Sequence, residues 1–199
     1  MDRIYCPFEI KNQRDDDGTF SGYGSAFGNV DSYGDTIAPG AFKKTIADSQ
    51  NGNAPWPAML SQHGGNDPTP VGIWSHMSED EHGLKLKGKL EIKNKRGADI
   101  YALLKMKPRP ALNGLSIGYR VRDSENHRSG TGPGGAKRTL KQIDLVECSL
   151  VTFPADRFAR VSGVKSWLDT EPIDKAALAK AWAMAGFEAL RRITNHVPR

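Results

Sequence analysis

The sequence predicts a mainly β fold with attached helices, an α+β domain followed by a C-terminal helix, and three observations carry that prediction. Residues 84–91 alternate Leu84, Leu86, Gly88 and Leu90 with Lys85, Lys87, Lys89 and Glu91, the period of two that marks a strand with one wet face. Segments 115–122 and 139–152 also read as strands. Helical patterning is confined to three stretches, 41–46, 95–107 and 172–194, so helices supplement a β framework and do not form a bundle.

The chain has 199 residues, enough for one domain with a small helical appendage. Its 38% hydrophobic and 26% charged content fits a polar, soluble globular protein. No apolar run approaches the roughly 18 residues needed to span a bilayer. The N-terminus carries Asp2, Arg3 and Glu9 and has no apolar core segment, so a secretory signal is not expected and the cytosol of the producing cell is the expected compartment. Cys6 and Cys148 form neither a disulfide framework nor a C-x-x-C pair, which argues against a cysteine zinc site. The net charge is +5. Arg120, Arg122, Arg128, Lys137, Arg138 and Lys141 gather around one loop. Such a surface could face nucleic acid or an acidic protein, but charge patterning favours a solvated rim.

Taken in chain order, residues 18–30 alternate aromatic and small residues and read as a Gly-rich strand. Asn29 to Gly34 is turn-rich. Pro39 and Gly40 open a short helix through Ile46, with Phe42 and Ile46 on one face by their i,i+4 spacing. Residues 56–63 read as a buried strand ending at His63, followed by a loop through Pro68. Val71–Met77 and Leu84–Ile92 form a hairpin joined by the acidic turn Ser78–Glu81. Lys95–Lys107 is a helix carrying Ile100, Leu103 and Leu104, which Pro108 and Pro110 stop. Leu115–Arg122 is a strand with Leu115, Ile117, Tyr119 and Val121 facing the core. Residues 129–135 are too Gly-rich to offset their ordering entropy and read as a mobile loop. Thr139–Thr152 is a further strand, and Phe158 and Val161 are expected to dock on the core. Over Pro172–Thr194, Leu178, Trp182, Ala185, Ala189 and Ile193 make one helical stripe, with more apolar surface on a second flank.

A hydroxyl, an imidazole and a carboxylate stand out, in the chain order His63, Ser116, Glu147. Gly114-Leu115-Ser116-Ile117-Gly118 matches the G-x-S-x-G elbow of α/β-hydrolases, but an elbow needs a helix directly after the serine. Here an alternating strand follows, and the chain lacks a run of βα units. Ser116 therefore lies on a strand, on the open face, beside a Gly118 that leaves room for a substrate carbonyl. On spacing alone an ordinary strand serine is the favoured reading. A serine hydroxyl needs a base to become nucleophilic, and His63, ending a strand before Gly64-Gly65, is placed to project into a cleft. Glu147 sits in an otherwise apolar strand, where a carboxylate is costly unless paired; it is a candidate orienter for His63. Asp144 competes for that role, although it lies nearer the strand's start and reads as a solvated end residue. Cys148 points to the opposite face from Glu147. His76 and His82 bracket an acidic turn, but no metal-site spacing fits them.

Four segments in order resemble the prohead (capsid maturation) serine proteases of tailed bacteriophages, relatives of the herpesvirus assemblin proteases. They are Gly22-Tyr23-Gly24-Ser25-Ala26-Phe27 with Asp31, Gly34-Asp35 and Pro39-Gly40-Ala41-Phe42; Leu60 to His63 with Pro70-Val71-Gly72; Leu112 to Tyr119; and Leu145 to Ala155. They span residues 20–157 and leave the C-terminal segment unmatched. The resemblance implies a compact β-barrel surrounded by helices, with His63 as general base, Ser116 as nucleophile and Glu147 as third member. The herpesvirus relatives use a second histidine there, so the glutamate follows the phage branch. A protease domain is expected over 1–165, and the helical segment over 166–199, apolar on two flanks, is expected to serve self-association, targeting or removal. The implied substrates are the major capsid protein with its scaffolding region, a separate scaffold protein, and the protease itself. The expected place of action is the host cytoplasm, inside the immature capsid. A homodimer is allowed, no membrane or nucleic acid is required, and no cofactor or metal is implied. The rival readings are a non-catalytic capsid-assembly protein that binds scaffold and an esterase-type serine hydrolase.

Overall fold

The computed structural model describes residues 17–128 and 130–164. The helix predicted over 172–194, the 166–199 segment and Cys6 lie outside the described residues. Among the described residues eight strands form one mixed sheet: β1 Thr19–Ala26, β2 Asp35–Ile37, β3 Ala58–Ser61, β4 Gly72–Glu79, β5 Gly83–Leu90, β6 Gly114–Asn126, β7 Arg138–Val151 and β8 Val161–Val164. Their order is β2-β7-β3-β4-β5-β1-β8, with β6 along the other side of β7. The pairs β2–β7 and β3–β7 are parallel, and the remaining ladders are antiparallel. The long β7 is the organising strand: its first residues pair with β2, its last with β3, and nearly its whole length with β6.

The closed barrel implied by the resemblance is corrected to a sheet that stops short of closure. β6 and β8 share no ladder. They approach through the single bridge Gly114–Arg160, flanked by Leu115 N–H donating to Ala159 O (3.0 Å) and Val161 N–H donating to Asn113 O (2.8 Å). Only residues 159–161 run beside β6 before the chain turns to pair with β1. Nor do helices surround the sheet: the described residues hold two, α1 Lys43–Gln50 and α2 Lys95–Lys105. The mainly β, α+β class itself stands.

Each helix is started by a local device. The Glu79 carboxylate, at the end of β4, accepts the N–H groups of Gly40 (2.9 Å) and Phe42 (2.6 Å). A negative charge there suits both the orphan donors and the positive end of the helix dipole. The helix consequently begins at Lys43, later than Pro39-Gly40 suggested. Asn94 caps α2, its side chain accepting the Arg96 N–H at 3.0 Å. The buried face of α2 is Gly97, Ile100, Tyr101 and Leu104, so Tyr101 takes the place expected for Leu103, which is 39% exposed.

The hairpin of β4 and β5 forms as expected, and Leu84, Leu86 and Leu90 are core residues beside Phe20, Trp74 and Met77. Two expectations need correction. Val121, although opposite the buried Ile143, is 40% exposed, where the β6–β7 register becomes irregular. Phe158 is 50% exposed; Ala159 and Val161 are buried in its stead. The 129–135 loop holds a 3₁₀ turn at Pro133–Gly135 inside the β6–β7 connection. The short strands β2 and β8 have no sequence periodicity of their own, and their partners alone make them strands.

Candidate active site

The site is built where β3, β6 and β7 lie side by side. Antiparallel register sets Ser116 opposite Ser149 and Gly118 opposite Glu147, while parallel register sets Ala58 beside Glu147 and Leu60 beside Ser149. Residues directly across a ladder share a face, so Ser116, Gly118, Glu147 and Ser149 share one. A β-bulge makes this possible. Gly118 pairs with Glu147 but Tyr119 pairs with Leu145, leaving Val146 as the extra residue. Before the bulge Ile143 and Leu145 point into the core; after it Cys148 and Leu150 do. The one-residue slip turns Glu147 and Ser149 to the other face.

After Ser61 the chain turns through a 3₁₀ segment, Gln62–Gly64, with φ of +51° at Gln62 and +58° at His63. His63 is thus on a left-handed turn just past the strand, not on the strand. Two consecutive non-glycine residues in this region cost about 1–3 kcal/mol each and persist only where surroundings enforce them. Here the His63 N–H donates to Ser149 Oγ (3.2 Å) and the Gln62 amide brackets Thr152, Nε2 to Oγ1 at 3.1 Å and Oε1 from the Thr152 N–H at 3.3 Å. Farther along, the Asp67 N–H donates to Gly64 O (2.8 Å), and Asp67 pairs with Arg96 at the start of α2 (2.6 Å). The Arg96 guanidinium, followed by Thr69, holds the Asp67 carboxyl down at about 2.

This turn presents the imidazole to Glu147, with His63 Nδ1 2.7 Å from Oε1. A carboxylate only accepts, so Nδ1 carries the proton and Nε2 is the free acceptor. The other oxygen, Oε2, accepts from Ser149 Oγ at 2.5 Å. Glu147 is buried, while the His63 side chain is half exposed. Ser116 and His63 line one cavity of about 470 Å³. Among the described residues no hydrogen bond joins them; such contacts commonly tighten only when substrate is bound. The space beside Gly118, expected to receive a substrate carbonyl, is taken by the carboxylate: a Cβ at Gly118 would lie 2.3 Å from Glu147 Oε1. Asp144 is not brought to His63. It is partly exposed and paired with Arg122, whose guanidinium holds the Asp144 carboxyl below its usual range. Cys148 is buried on the core side, where burial pushes its thiol well up. Sequence reasoning missed Ser149 and Gln62. The available signal was a serine two residues after Glu147, on the same strand.

The cavity walls are two loops fastened to one another. The Asp156 carboxylate accepts the Ala26 N–H (2.7 Å), Asn29 Nδ2 (2.8 Å) and the Phe158 N–H (2.8 Å), and the Ser32 N–H donates to Ala155 O (3.1 Å). Tyr33 and Phe153 also line the cavity and are 76% and 90% exposed, an aromatic rim beside Ser116. Deeper in, the buried Asp35 carboxylate takes two hydrogen bonds from Arg138, at 2.9 and 2.5 Å. Burial, then the Asp35 and Asp31 charges, push the neighbouring Tyr119 hydroxyl from 10.0 up to about 12. A phenol that ionises less readily folded than unfolded contributes stability that is full below about pH 10 and is lost as pH rises toward about 12. Thermal melts from pH 9 to 11.5 should therefore show a shallower alkaline decline for Tyr119→Phe than for the parent chain. Parallel slopes would remove Tyr119 as the cause.

A family model described as caudovirus prohead serine protease matches residues 7–172. The prohead protease of Enterobacteria phage HK97 is 36% identical over 150 residues, which cover 75% of this chain. The chain spans 61% of the length of that relative.

Proposed function

We propose, because this chain belongs to the caudovirus prohead serine protease family, that it is a serine endopeptidase acting on the scaffolding region of the major capsid protein, and on itself, as the immature shell matures. The observation that carries this reading is the 2.7 Å contact from His63 Nδ1 to Glu147, at a cavity that Ser116 also lines. With Nδ1 committed, Nε2 is the basic nitrogen. Ser116 Oγ attacks the scissile carbonyl as Nε2 takes its proton, and Glu147 stabilises the imidazolium that forms. The oxyanion needs preorganised N–H donors, each worth about 10²–10³ in rate. His63 then protonates the leaving amine, and a water activated by the same nitrogen releases the acyl-enzyme. The attack and both proton transfers use side chains of this chain, and the reading calls for no metal or cofactor. The 166–199 segment is assigned to self-association, shell targeting or self-removal, and the work to the interior of the immature capsid in the host cytoplasm.

Co-expression with the capsid protein of the same phage tests the reading. Mass spectrometry should find a capsid protein shortened at its scaffolding region; an intact capsid protein beside folded, soluble protease would favour the rival scaffold-binding role. Cleavage of small esters without any peptide cleavage would favour an esterase.

Gly118→Ala offers a sharper probe. The backbone of Gly118 is not in the left-handed region, so an alanine strains nothing locally. Its methyl group must nevertheless push the Glu147 carboxylate off both His63 and Ser149. A misplacement near 1 Å costs about 10²-fold in rate, and disturbing these hydrogen bonds about 1–3 kcal/mol in stability. Cleavage rate and melting temperature measured together check both, and an unchanged rate would mean that the carboxylate position is immaterial.

A further inference from the structure

We propose that Ser149 is a positioning residue that sets the acid and the base of this site relative to each other through one hydroxyl. The inference rests on the protease reading above, in which His63 and Glu147 work on Ser116. Ser149 is fully buried on β7, across the ladder from Ser116 and beside Leu60 of β3. A hydroxyl has one proton to give and lone pairs to receive. Ser149 gives its proton to Glu147 Oε2 at 2.5 Å and receives the His63 backbone N–H at 3.2 Å. Both of these bonds end on the pair that serves Ser116. Burial excludes Ser149 as a rival nucleophile: it is fully buried and does not line the cavity that Ser116 lines.

Each bond has a distinct mechanical consequence. Anchored only through Oε1, the Glu147 carboxylate would be free to turn about its last bond, the more so because Gly118 puts no side chain against it. The Ser149 bond to Oε2 stops that turn with Oε1 facing Nδ1. The left-handed turn at Gln62 and His63 directs the His63 N–H toward β7. The Ser149 oxygen satisfies that donor and so holds the strained turn that aims the ring. Carboxylate and imidazole are therefore referenced to one atom of a rigid strand.

A fluorophosphonate reports Ser116 activation without knowledge of the peptide substrate. Ser116 Oγ bonds to phosphorus, fluoride leaves, and the hydroxyl proton passes to His63. In the full-length chain Ser149→Ala should lower the maximal labelling rate about 10- to 100-fold, with the probe's inhibition constant within about twofold. In a Glu147→Gln background the same change should add little, since residues acting as a unit are non-additive. Ser149→Thr, which keeps the hydroxyl, should recover much of the loss that Ser149→Ala causes. Independently of labelling, the downfield proton resonance of His63 Nδ1–H should shift in Ser149→Ala. Parent-like labelling by Ser149→Ala together with an unmoved resonance would overturn the proposal, as would an equal fractional loss in the Glu147→Gln background. Continued labelling of Ser116→Ala would instead overturn the protease reading, and the resonance would still judge Ser149.

Discussion

Ser116→Ala is expected to abolish processing of a co-expressed capsid protein while leaving the domain folded. In enzymes of this chemistry, removal of the nucleophile costs about 10⁶-fold in turnover. The residual rate comes from binding and oxyanion stabilisation alone. The fold should tolerate the change for a reason visible in the site. Among the described residues Ser116 Oγ has no hydrogen-bond partner, so its loss orphans none, and the melting temperature should move by less than the equivalent of about 1 kcal/mol. Intact capsid protein beside a variant melting like its parent is the expected result. Undiminished cleavage would refute the assignment of Ser116.

The second large effect is expected from the carboxylates, and it separates two residues three apart on one strand. Glu147→Gln replaces an acceptor-only anion with a neutral amide, whose single NH2 group must stand in for an accepting oxygen at either His63 or Ser149. That disfavours the tautomer with the proton on Nδ1 and removes the charge that stabilises the imidazolium. A loss of about 10⁴-fold in turnover follows from this kind of change. Asp144→Asn should leave turnover within about twofold, because Asp144 is spent on the exposed ion pair with Arg122, and exposed pairs contribute about 0–1 kcal/mol. Turnover of the two purified variants on the same substrate decides the matter. The reverse ranking would move the third role to Asp144.

The contrast between these two carboxylates also shows where reading from sequence reaches its limit. Glu147 was conspicuous because ionised groups are expensive inside apolar strands, and its burial with two hydrogen bonds is the physical answer to that expense. The face it occupies was not legible. Strict alternation from Ile143 would send Glu147 inward with Leu145, and only the bulge at Val146 redirects it. Similarly, Leu60 to His63 reads as one strand, yet His63 sits on a left-handed turn whose support comes from Ser149 and Thr152, far along the chain. Gly118 reads in the sequence as a gap in the side chains of β6; only the packed structure shows that the Glu147 carboxylate fills that gap. Barrel closure was likewise undecidable from pattern, since it turns on whether three residues near Arg160 pair with β6 or pass it by.

From the residues alone came the α+β class, the β4–β5 hairpin, the strand setting of Ser116 and the three chemical groups in their order, because periodicity and the cost of buried charge act locally. Tertiary structure decided which face Glu147 takes, how His63 is aimed and that Ser149 joins them. Those outcomes depend on register, and a one-residue bulge between distant strands reverses every side chain beyond it.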